Sequence, residues 1–314
     1  MERKINDVIF KELVKRGYSK KGKKRVWDVS DSKLWYLTPA LAKGFLNLKK
    51  YNPYRIRVID AEIGLIKKNT RKIMKIFGKN KFNLIDLGCG SGLKAESFIK
   101  SLPKDVELRY SPVDINTYYI SKTIERIRGL KSQKVKAIRP FIIDFRELDD
   151  AIGILRSGEY QINFSLLLGE TISHYEIHDL LYSLSESMFK GDYLLIGNGI
   201  RKGRRFVELD KYRNPLFNDW FIHIIKGLGF NEKEVKVDVR FTHKRLEGYY
   251  RILVDKAIKY KGKKVIFRAG DEIIVAIQYK FFERELKKYC KMYFSNVWIF
   301  KNRSNEHCLL LCKK

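Results

Sequence analysis

The sequence is poor in cysteine, in acidic side chains and in long apolar runs. Its 314 residues include four cysteines, too few and too unevenly placed for a disulfide framework, so we expect structural thiols in a reducing cytoplasm. Cys308 and Cys312 lie four residues apart with no second cysteine pair, which argues against a zinc site, and we expect no metal. No apolar run approaches the roughly 18 residues of a membrane span, and residues 1–15 lack the apolar core of a secretory signal. A cytoplasmic protein without a membrane segment is predicted.

The shortage of acids leaves a strongly basic chain. Lysine and arginine number 65 against 36 aspartates and glutamates, a formal charge of +29. A field of this size attracts polyanions such as RNA, although lysine bias also follows from thermophily or genome composition. The densest cluster is expected as a basic loop at residues 20–25, with five cations in six residues beside Tyr18 and Trp27. RNA or another polyanion therefore remains a possible partner.

Apolar periodicity predicts the architecture. Helical spacing is expected at 5–16, 32–48 and 56–77. Five short strands then alternate with helices, at 82–87, 106–113, 137–143, 162–168 and 193–197. Such alternation is typical of a parallel, doubly wound α/β sheet. It stops near residue 200; further strands are expected at 249–260, 264–278, 296–301 and 308–311, with helices at 221–228 and 281–293.

A glycine loop follows the first of these strands and precedes a helix. It reads Asp86-Leu-Gly88-Cys89-Gly90-Ser-Gly92, and its glycines let the backbone pass close to a nucleotide-type ligand. The spacing differs from the Gly-x-Gly-x-x-Gly of dinucleotide folds. An acid two residues before the first glycine suits the amino-acid part of S-adenosylmethionine (SAM). The loop therefore predicts a SAM site.

Two further strand ends carry acids at the same edge of the sheet. Asp114 ends the second strand, where a carboxylate can accept hydrogen bonds from both ribose hydroxyls. Asp144 and Phe145 end the third strand, where an acid and an aromatic ring can flank the adenine. We take the three acids, with the loop, as one cofactor site, because carboxyl ends of parallel strands meet at the edge where such ligands bind.

At this point the chain resembles the histidine-specific SAM-dependent methyltransferases, a family that includes the ergothioneine-pathway enzyme that methylates the α-amino group of histidine. The resemblance runs from about residue 27 to 311. It rests on the glycine loop with Lys94, on the motifs ending in Asp114 and Phe145, and on blocks at 168–172, 190–195, 245–247 and 267–273. It implies a SAM-dependent enzyme with a Rossmann-like class I methyltransferase sheet, a second, smaller substrate domain, and Lys94 and Gly169 among the cofactor-binding residues.

The implied layout divides the chain into four segments. Residues 1–60 and 200–248 are expected to form the substrate domain, packed as a lid over the carboxyl edge of the sheet. Residues 61–199 are expected to form the SAM-binding core, and residues 249–314 to supply its C-terminal strands and helix.

The substrate half of the family pattern is altered. The family's Gly-Ser-Thr-Ile-Gly-Asn-Phe stands here as Gly-Glu-Thr-Ile-Ser-His-Tyr, so His174 replaces the asparagine that holds the substrate's amino and carboxylate groups. Glu247 matches a glutamate that binds the imidazole ring of histidine in the family, but Tyr249 replaces the serine that stands two residues further on. Tyr212 matches a tyrosine at the substrate carboxylate. Plain histidine is therefore an improbable acceptor.

The candidate catalytic residues are His174, Glu247 and Tyr212. A neutral imidazole at His174 can take a proton from an amine or orient it, although a helix-capping role is the alternative. Glu247 can pair with a cationic substrate group or merely with a neighbouring arginine. Tyr51, Tyr212 and Tyr249 suit an aromatic cage for an amine. These residues and His174 and Glu247 form the expected substrate site.

Three functions are compatible with the sequence. The leading hypothesis is a SAM-dependent N-methyltransferase that acts on the amine of an amino acid or related small molecule. The second has RNA or a protein side chain as its acceptor, suggested by the charge of +29. The third is a basic nucleic-acid-binding protein whose methyltransferase fold is not catalytic. Loss of SAM binding would leave only the third.

Overall fold

The computed structural model describes residues 5–203, 209–242 and 244–314, which form two compact units. The first unit comprises Met1–Asn52 and Gly203–Lys280, and the second comprises Pro53–Lys202 and Phe281–Lys314. The chain thus leaves the first unit, builds most of the second, returns once to the first, and ends in the second. Residues 249–280, which the sequence analysis assigned to the core, lie in the first unit.

The second unit contains the alternating strands and helices. A π-helical segment, Arg55–Asp60, leads into the long helix α4 (Ala61–Phe77); the short helix α3 (Asn52–Tyr54) precedes it. The alternating elements are β3 (Lys81–Leu87), α5 (Leu93–Ser101), β4 (Glu107–Val113), α6 (Thr117–Gly129), β5 (Val135–Ile138), α7 (Asp149–Leu155), β6 (Asn163–Leu167), α8 (Ile177–Glu186) and β7 (Tyr193–Gly199). The C-terminal elements are α10 (Glu283–Lys291), β13 (Asn296–Lys301) and β14 (His307–Lys313).

These strands form one seven-stranded sheet in the order β13-β14-β7-β6-β3-β4-β5. β3 to β7 are parallel, whereas β14 runs antiparallel to both β7 and β13. The chain runs outward from β3 through β4 and β5 and then resumes at β6 on the other side of β3. The strand order therefore reverses beside β3, and such a reversal opens a ligand crevice at the carboxyl ends. This is the predicted α/β architecture.

The sheet buries an aromatic core. Phe77 of α4 packs edge-on against Phe82, Phe164 and Tyr193, with ring centroids 5.0 to 5.1 Å apart. All four rings are buried, and such pairs add to the stabilisation that burial of their apolar area gives. The core anchors α4 to β3, β6 and β7, and so fixes the start of that helix relative to the strand ends.

The first unit is built around a second sheet. Its N-terminal elements are α1 (Asp7–Arg16), β1 (Tyr18–Lys21), β2 (Lys24–Asp28) and α2 (Pro39–Lys50). Its second segment supplies α9 (Pro215–Gly227), β8 (Val235–Thr242), β9 (Arg245–Ile252), β10 (Lys256–Tyr260), β11 (Lys263–Phe267) and β12 (Glu272–Tyr279). The five-stranded sheet has the order β1-β2-β12-β9-β8, and β10 pairs with β11. Trp35 and Trp220 pack edge-on 5.8 Å apart beneath this sheet, where Trp35 Nε1 donates to the Val275 carbonyl.

Three local predictions were wrong. The strands expected at 249–278 pair with one another and with β2 and β8 rather than with the second unit's sheet, because apolar alternation identifies a strand but not its partner. The basic cluster expected as a loop is the β1–β2 hairpin, which Tyr18 and Trp27 hold together by packing 4.8 Å apart. β5 ends at Ile138 instead of 143, since Pro140 has no N–H for the ladder.

No helix in the described part of the chain is both long enough and apolar enough to cross a membrane.

Candidate functional site

The glycine loop connects β3 to α5 in a conformation that side chains with a Cβ resist. Gly88, Gly90 and Gly92 have φ of +67°, +54° and +70°, a region that glycine enters without steric cost. The amides of Gly88 and Cys89 donate to the Val113 carbonyl at 2.8 and 3.1 Å. The loop is thereby held against the end of β4, which is paired in register with the end of β3.

Asp114, immediately after β4, anchors the same loop. It is buried, and its Oδ2 accepts the Gly90 amide at 3.1 Å while its Oδ1 accepts the Asn116 amide at 3.0 Å. Thr123 of α6 completes the support by donating its hydroxyl to the Gly90 carbonyl at 2.9 Å. Asp114 therefore faces the glycine loop from the end of β4.

Asp86 is a buried carboxyl with an unusual proton affinity. Tyr110 donates its hydroxyl to Asp86 Oδ2 at 2.7 Å. Burial raises the pKa of Asp86 to about 6; the negative charges of Asp114 and Glu62 add to this, whereas the Tyr110 hydrogen bond and the Lys94 ammonium oppose it. A bound cation would favour the ionised form, so this carboxyl suits a positively charged ligand group.

Asp144 and Phe145 lie just beyond β5. Asp144 accepts the Arg146 amide at 3.1 Å and forms an ion pair with the Arg146 side chain. The Phe145 ring is buried, packs edge-on against Tyr175 with centroids 5.7 Å apart, and lies next to Gly88. The structure thus brings the third strand end to the glycine loop, with the ring of Phe145 beside it.

Lys94 and Gly169 meet through a residue that the sequence analysis missed. The Glu62 carboxylate is fully buried, pairs with Lys94, and accepts the Gly169 amide at 2.9 and 3.1 Å through its two oxygens. A Cβ on Gly169 would stand 2.8 Å from Lys94 Nζ. Glu62 occupies a buried position on α4 between apolar residues; that lone carboxylate in a helical apolar stripe is the signal that could have revealed it.

His174 ends the short 3₁₀ turn Thr171–His174 that follows β6, and its side chain is half-buried. Glu170 immediately precedes this turn, and its Oε1 lies 3.4 Å from Nε2 of the buried His307. Neither Glu170 nor His307 was among the predicted site residues, although both lie at the edge of the sheet that carries the glycine loop.

Glu247 lies in the first unit as part of a charged network. It is 1% exposed. Arg240 Nε donates to its Oε2 at 2.7 Å, while Arg245 donates Nε and Nη2 to its Oε1 at 2.8 and 2.6 Å. Burial alone would raise the pKa of Glu247, but the hydrogen bonds from both arginines outweigh it and lower the pKa. Both carboxylate oxygens are thus already engaged by guanidinium groups.

The three tyrosines do not share one environment. Tyr249 is buried, with the Arg240 guanidinium 4.3 Å from its ring centroid and its hydroxyl 3.4 Å from Asp238. Tyr212 donates to Gln278 at 3.3 Å. Tyr51 follows the end of α2 with an exposed side chain. The structure brings Tyr249 to the Glu247 network and gives Tyr212 a separate partner.

The family described as histidine-specific methyltransferase, SAM-dependent, matches residues 43–314. The chain belongs to this family. It is accordingly a SAM-dependent methyltransferase. A search of curated proteins finds no match.

The solved structures that the chain matches are only distantly similar to it. A SAM-dependent methyltransferase from Clostridium acetobutylicum is 13% identical with a TM-score of 0.47, covering 86% of this chain and 98% of the other. A sugar N-methyltransferase from a Streptoalloteichus species is 9% identical with a TM-score of 0.41, covering 85% and 93%. At these values they carry no information about this methyltransferase's acceptor.

The residues of the second unit fit the cofactor that the family implies. SAM carries a sulfonium and an ammonium, and the carboxylates of Asp86, Asp114 and Glu62 gather beside one lysine, Lys94. The positive-φ glycines leave the loop without side chains that could block an approach to its backbone. Asp86 and Asp114 are the groups that would hold SAM, with the backbone of the glycine loop beside them and Asp144 and Phe145 at the neighbouring strand end.

Proposed function

We propose that this methyltransferase transfers a methyl group to the amine of an amino acid or related small molecule other than plain histidine. The assignment of the acceptor is supported by the hydrogen bonds that the Glu247 carboxylate accepts. A carboxylate whose two oxygens both accept hydrogen bonds from arginines has little capacity left to grip an imidazole N–H. The neighbouring Tyr249 is directed at Asp238 and Arg240 instead of offering the small hydroxyl that the family places there.

Methyl transfer from SAM requires little covalent chemistry from the protein itself. SAM supplies an activated methyl group on a sulfonium, so the protein has to align the acceptor nitrogen and remove its proton. We propose that His174, which follows β6 at the ligand-binding edge, orients the amine or accepts that proton. Tyr51 and Tyr212 are proposed to contribute to acceptor recognition, whereas Glu247 and Tyr249 are engaged by arginine side chains.

The first experiment is calorimetric titration of SAM into the purified protein and into Asp114→Asn. Asp105→Asn, a change of the same chemistry at an exposed loop position, is the matched control. We expect micromolar binding by the wild type and the control, and at least tenfold weaker binding by Asp114→Asn. Labelled-methyl transfer to a panel of amino acids, including histidine, then tests the acceptor. Absence of SAM binding by the wild type would overturn the enzymatic function and leave the non-catalytic alternative.

A macromolecular acceptor is the second candidate, and the β1–β2 hairpin favours it. Lys20, Lys21 and Lys23 are exposed at its tip, and none of them forms an ion pair within the described ranges. The first unit as a whole carries 32 lysines and arginines against 15 acids, a net charge of +17 in its two segments. Such a surface can attract the phosphates of RNA. Labelled-methyl transfer to total RNA, run beside the amino-acid panel, distinguishes the two candidates.

A further inference from the structure

The Glu62 carboxylate lies at the start of α4, inside the stripe of buried residues that packs this helix against the sheet. Its neighbours on that stripe, Leu65 and Ile66, are apolar, and Glu62 is as fully buried as they are. A buried ion pair contributes little net stability, because the cost of removing two charges from water is about as large as their attraction. An apolar side chain would therefore serve the packing equally well, and the charge of Glu62 needs a reason other than packing.

Three contacts fix the position of this carboxylate. Its two oxygens accept the Gly169 amide at 2.9 and 3.1 Å, and Oε2 also forms an ion pair with the Lys94 ammonium. Gly197 supplies the space that the carboxylate occupies, because a Cβ on that residue would overlap Oε1. Glu62 thus joins the start of α4 to the loop after β6 and to the helix that follows the glycine loop.

The Lys94 ammonium occupies the space that the missing side chain of Gly169 leaves. A Cβ on Gly169 would stand 2.8 Å from Nζ, and the φ of Gly169 is +86°, a value that glycine adopts without steric cost. The Lys94 side chain is 20% exposed, whereas the carboxylate that holds it is completely buried. Because an ammonium carries three N–H donors, Lys94 can bind a carboxylate that approaches from solvent while Glu62 holds it from the core.

Lys94 is a cation among carboxylates at the place where SAM would bind. It is the second residue of α5, directly after the glycine loop, and its charge acts on Asp86. The amino-acid part of SAM carries both an ammonium and a carboxylate. Asp86 and Asp114 suit the cationic groups of SAM but repel its carboxylate, so the carboxylate needs a cation at this position.

We propose that Glu62 is a positioning residue, which holds the Lys94 ammonium beside Gly169 and thereby makes the cofactor site selective for a ligand that carries a carboxylate. A lysine side chain is long and flexible, and it loses rotamer freedom when a ligand fixes it. Glu62 fixes the side chain before the cofactor arrives, so that this entropy cost does not reduce the affinity. Glu62 serves this role whichever acceptor receives the methyl group.

Two ligands that require no turnover test this role. S-adenosylhomocysteine carries the amino-acid carboxylate, whereas its decarboxylated form keeps the amine and lacks that group. Calorimetry gives the ratio of their dissociation constants, which a general loosening of the site would leave unchanged. We expect the wild type to bind S-adenosylhomocysteine about tenfold more tightly than the decarboxylated form, and Glu62→Gln to lower this preference about fivefold by weakening S-adenosylhomocysteine alone. Glu125→Gln, the same change at an exposed position of α6, is the control and should keep the wild-type ratio.

A second pair of variants displaces the ammonium without removing a charge. Gly169→Ala places a methyl group where Lys94 Nζ now lies, so we expect it to lower the preference for S-adenosylhomocysteine in the same direction as Glu62→Gln. Gly191→Ala introduces alanine at a similar φ of +93°, where the Cβ meets only the Ile162 side chain among the described residues. It therefore controls for backbone strain and should keep the wild-type ratio. This pair replaces the first if Glu62→Gln does not fold.

Lys94→Met shows whether Glu62 acts through the lysine. This variant should bind the two ligands about equally, and adding Glu62→Gln to it should change the ratio by less than about twofold, because the two residues share one effect. An unchanged ratio in Glu62→Gln would overturn the positioning role. Tighter binding of S-adenosylhomocysteine by Glu62→Gln would also overturn it, because Glu62 would then compete with the cofactor for Lys94. A wild type that binds neither ligand would overturn SAM binding itself.

Discussion

The Glu62 carboxylate fills the volume that a side chain on Gly197 would need. A methyl group at Gly197 would overlap Oε1, and Glu62 cannot move aside without breaking its contacts with Lys94 and the Gly169 amide. We therefore expect Gly197→Ala to lower the free energy of unfolding by about 3 kcal/mol, the combined effect of overpacking and of a displaced buried charge. Urea unfolding measures this value.

Gly64→Ala is the matched control for that substitution. Gly64 lies on the exposed side of α4, two residues from Glu62, and a Cβ there meets nothing within 4 Å. Because alanine is favoured over glycine inside a helix, we expect this variant to be more stable by about 0.5 to 1 kcal/mol. A Gly197→Ala protein as stable as Gly64→Ala would show that the Glu62 carboxylate is free to rearrange.

The raised pKa of Asp86 predicts that the free energy of unfolding falls as the pH rises. Its pKa is raised from 3.8 to about 6 in the folded protein, so the folded state binds more protons than the unfolded state between these values. The contribution of Asp86 to stability is therefore favourable below pH 4 and is lost as the pH rises through 6. In urea unfolding, Asp86→Asn should gain about 2 to 3 kcal/mol over the wild type between pH 4 and pH 7.

The Asp86 carboxyl should give the affinity for SAM the opposite pH dependence, so that binding strengthens as the pH rises. A cationic ligand favours ionised Asp86, so the affinity should weaken below pH 6, by up to about tenfold per pH unit. Calorimetry near pH 6 in buffers of different ionisation enthalpy should detect protons released on binding. Asp86→Asn should bind SAM weakly at every pH and release none. If its affinity matched that of the wild type at pH 8, Asp86 would have no role in holding the cofactor.

The cofactor half of the site could be predicted from the sequence because it is local. The acid–glycine loop and Asp114 lie at the ends of β3 and β4, Phe145 follows the short β5, and parallel strands bring their carboxyl ends together whatever the rest of the chain does. The positions of β3 to β7 also follow from local apolar runs to within a few residues, with β5 as the exception.

The other residues near the site and the partners of several strands could not be predicted, because they depend on contacts between residues that are far apart in the sequence. Glu62, Glu170 and His307 lie on α4, a turn after β6, and β14, and only the folded sheet reveals that they gather at Gly197 and Gly199. The pairing of β12 with β2 and β9 likewise depends on tertiary contacts. Apolar alternation predicted a strand there but could not assign it to the first unit's sheet.

Glu247 is expected to contribute to stability through its two arginines. Arg240 and Arg245 are about a quarter exposed and would lose their shared carboxylate in Glu247→Gln, so we expect a loss of about 2 to 3 kcal/mol near neutral pH. Since the folded pKa of Glu247 is lowered, that contribution should be present above pH 4.5 and disappear as the pH falls through the folded value.

Thermal and urea unfolding of Glu247→Gln should be compared with Glu125→Gln, which breaks an exposed pair with Lys122 and should produce no measurable change. If Glu247→Gln unfolds like the wild type but raises KM for the acceptor, the carboxylate contacts substrate instead of serving the arginines. A loss of stability with unchanged KM would mean that Glu247 is structural.

The β1–β2 hairpin gives a direct test of the macromolecular alternative. Replacing Lys20, Lys21 and Lys23 by glutamine lowers the charge by three at one tip, and replacing Lys67, Lys68 and Lys72 on the exposed side of α4 lowers it equally in the second unit. If the hairpin binds RNA, the first variant alone should lose affinity for single-stranded RNA, and the slope of log K against log salt should become shallower by roughly 2. Fluorescence anisotropy from 50 to 200 mM salt measures both quantities. Equal losses in the two variants would assign the binding to the general charge of the protein, because a diffuse field responds to the number of lysines removed and not to their position.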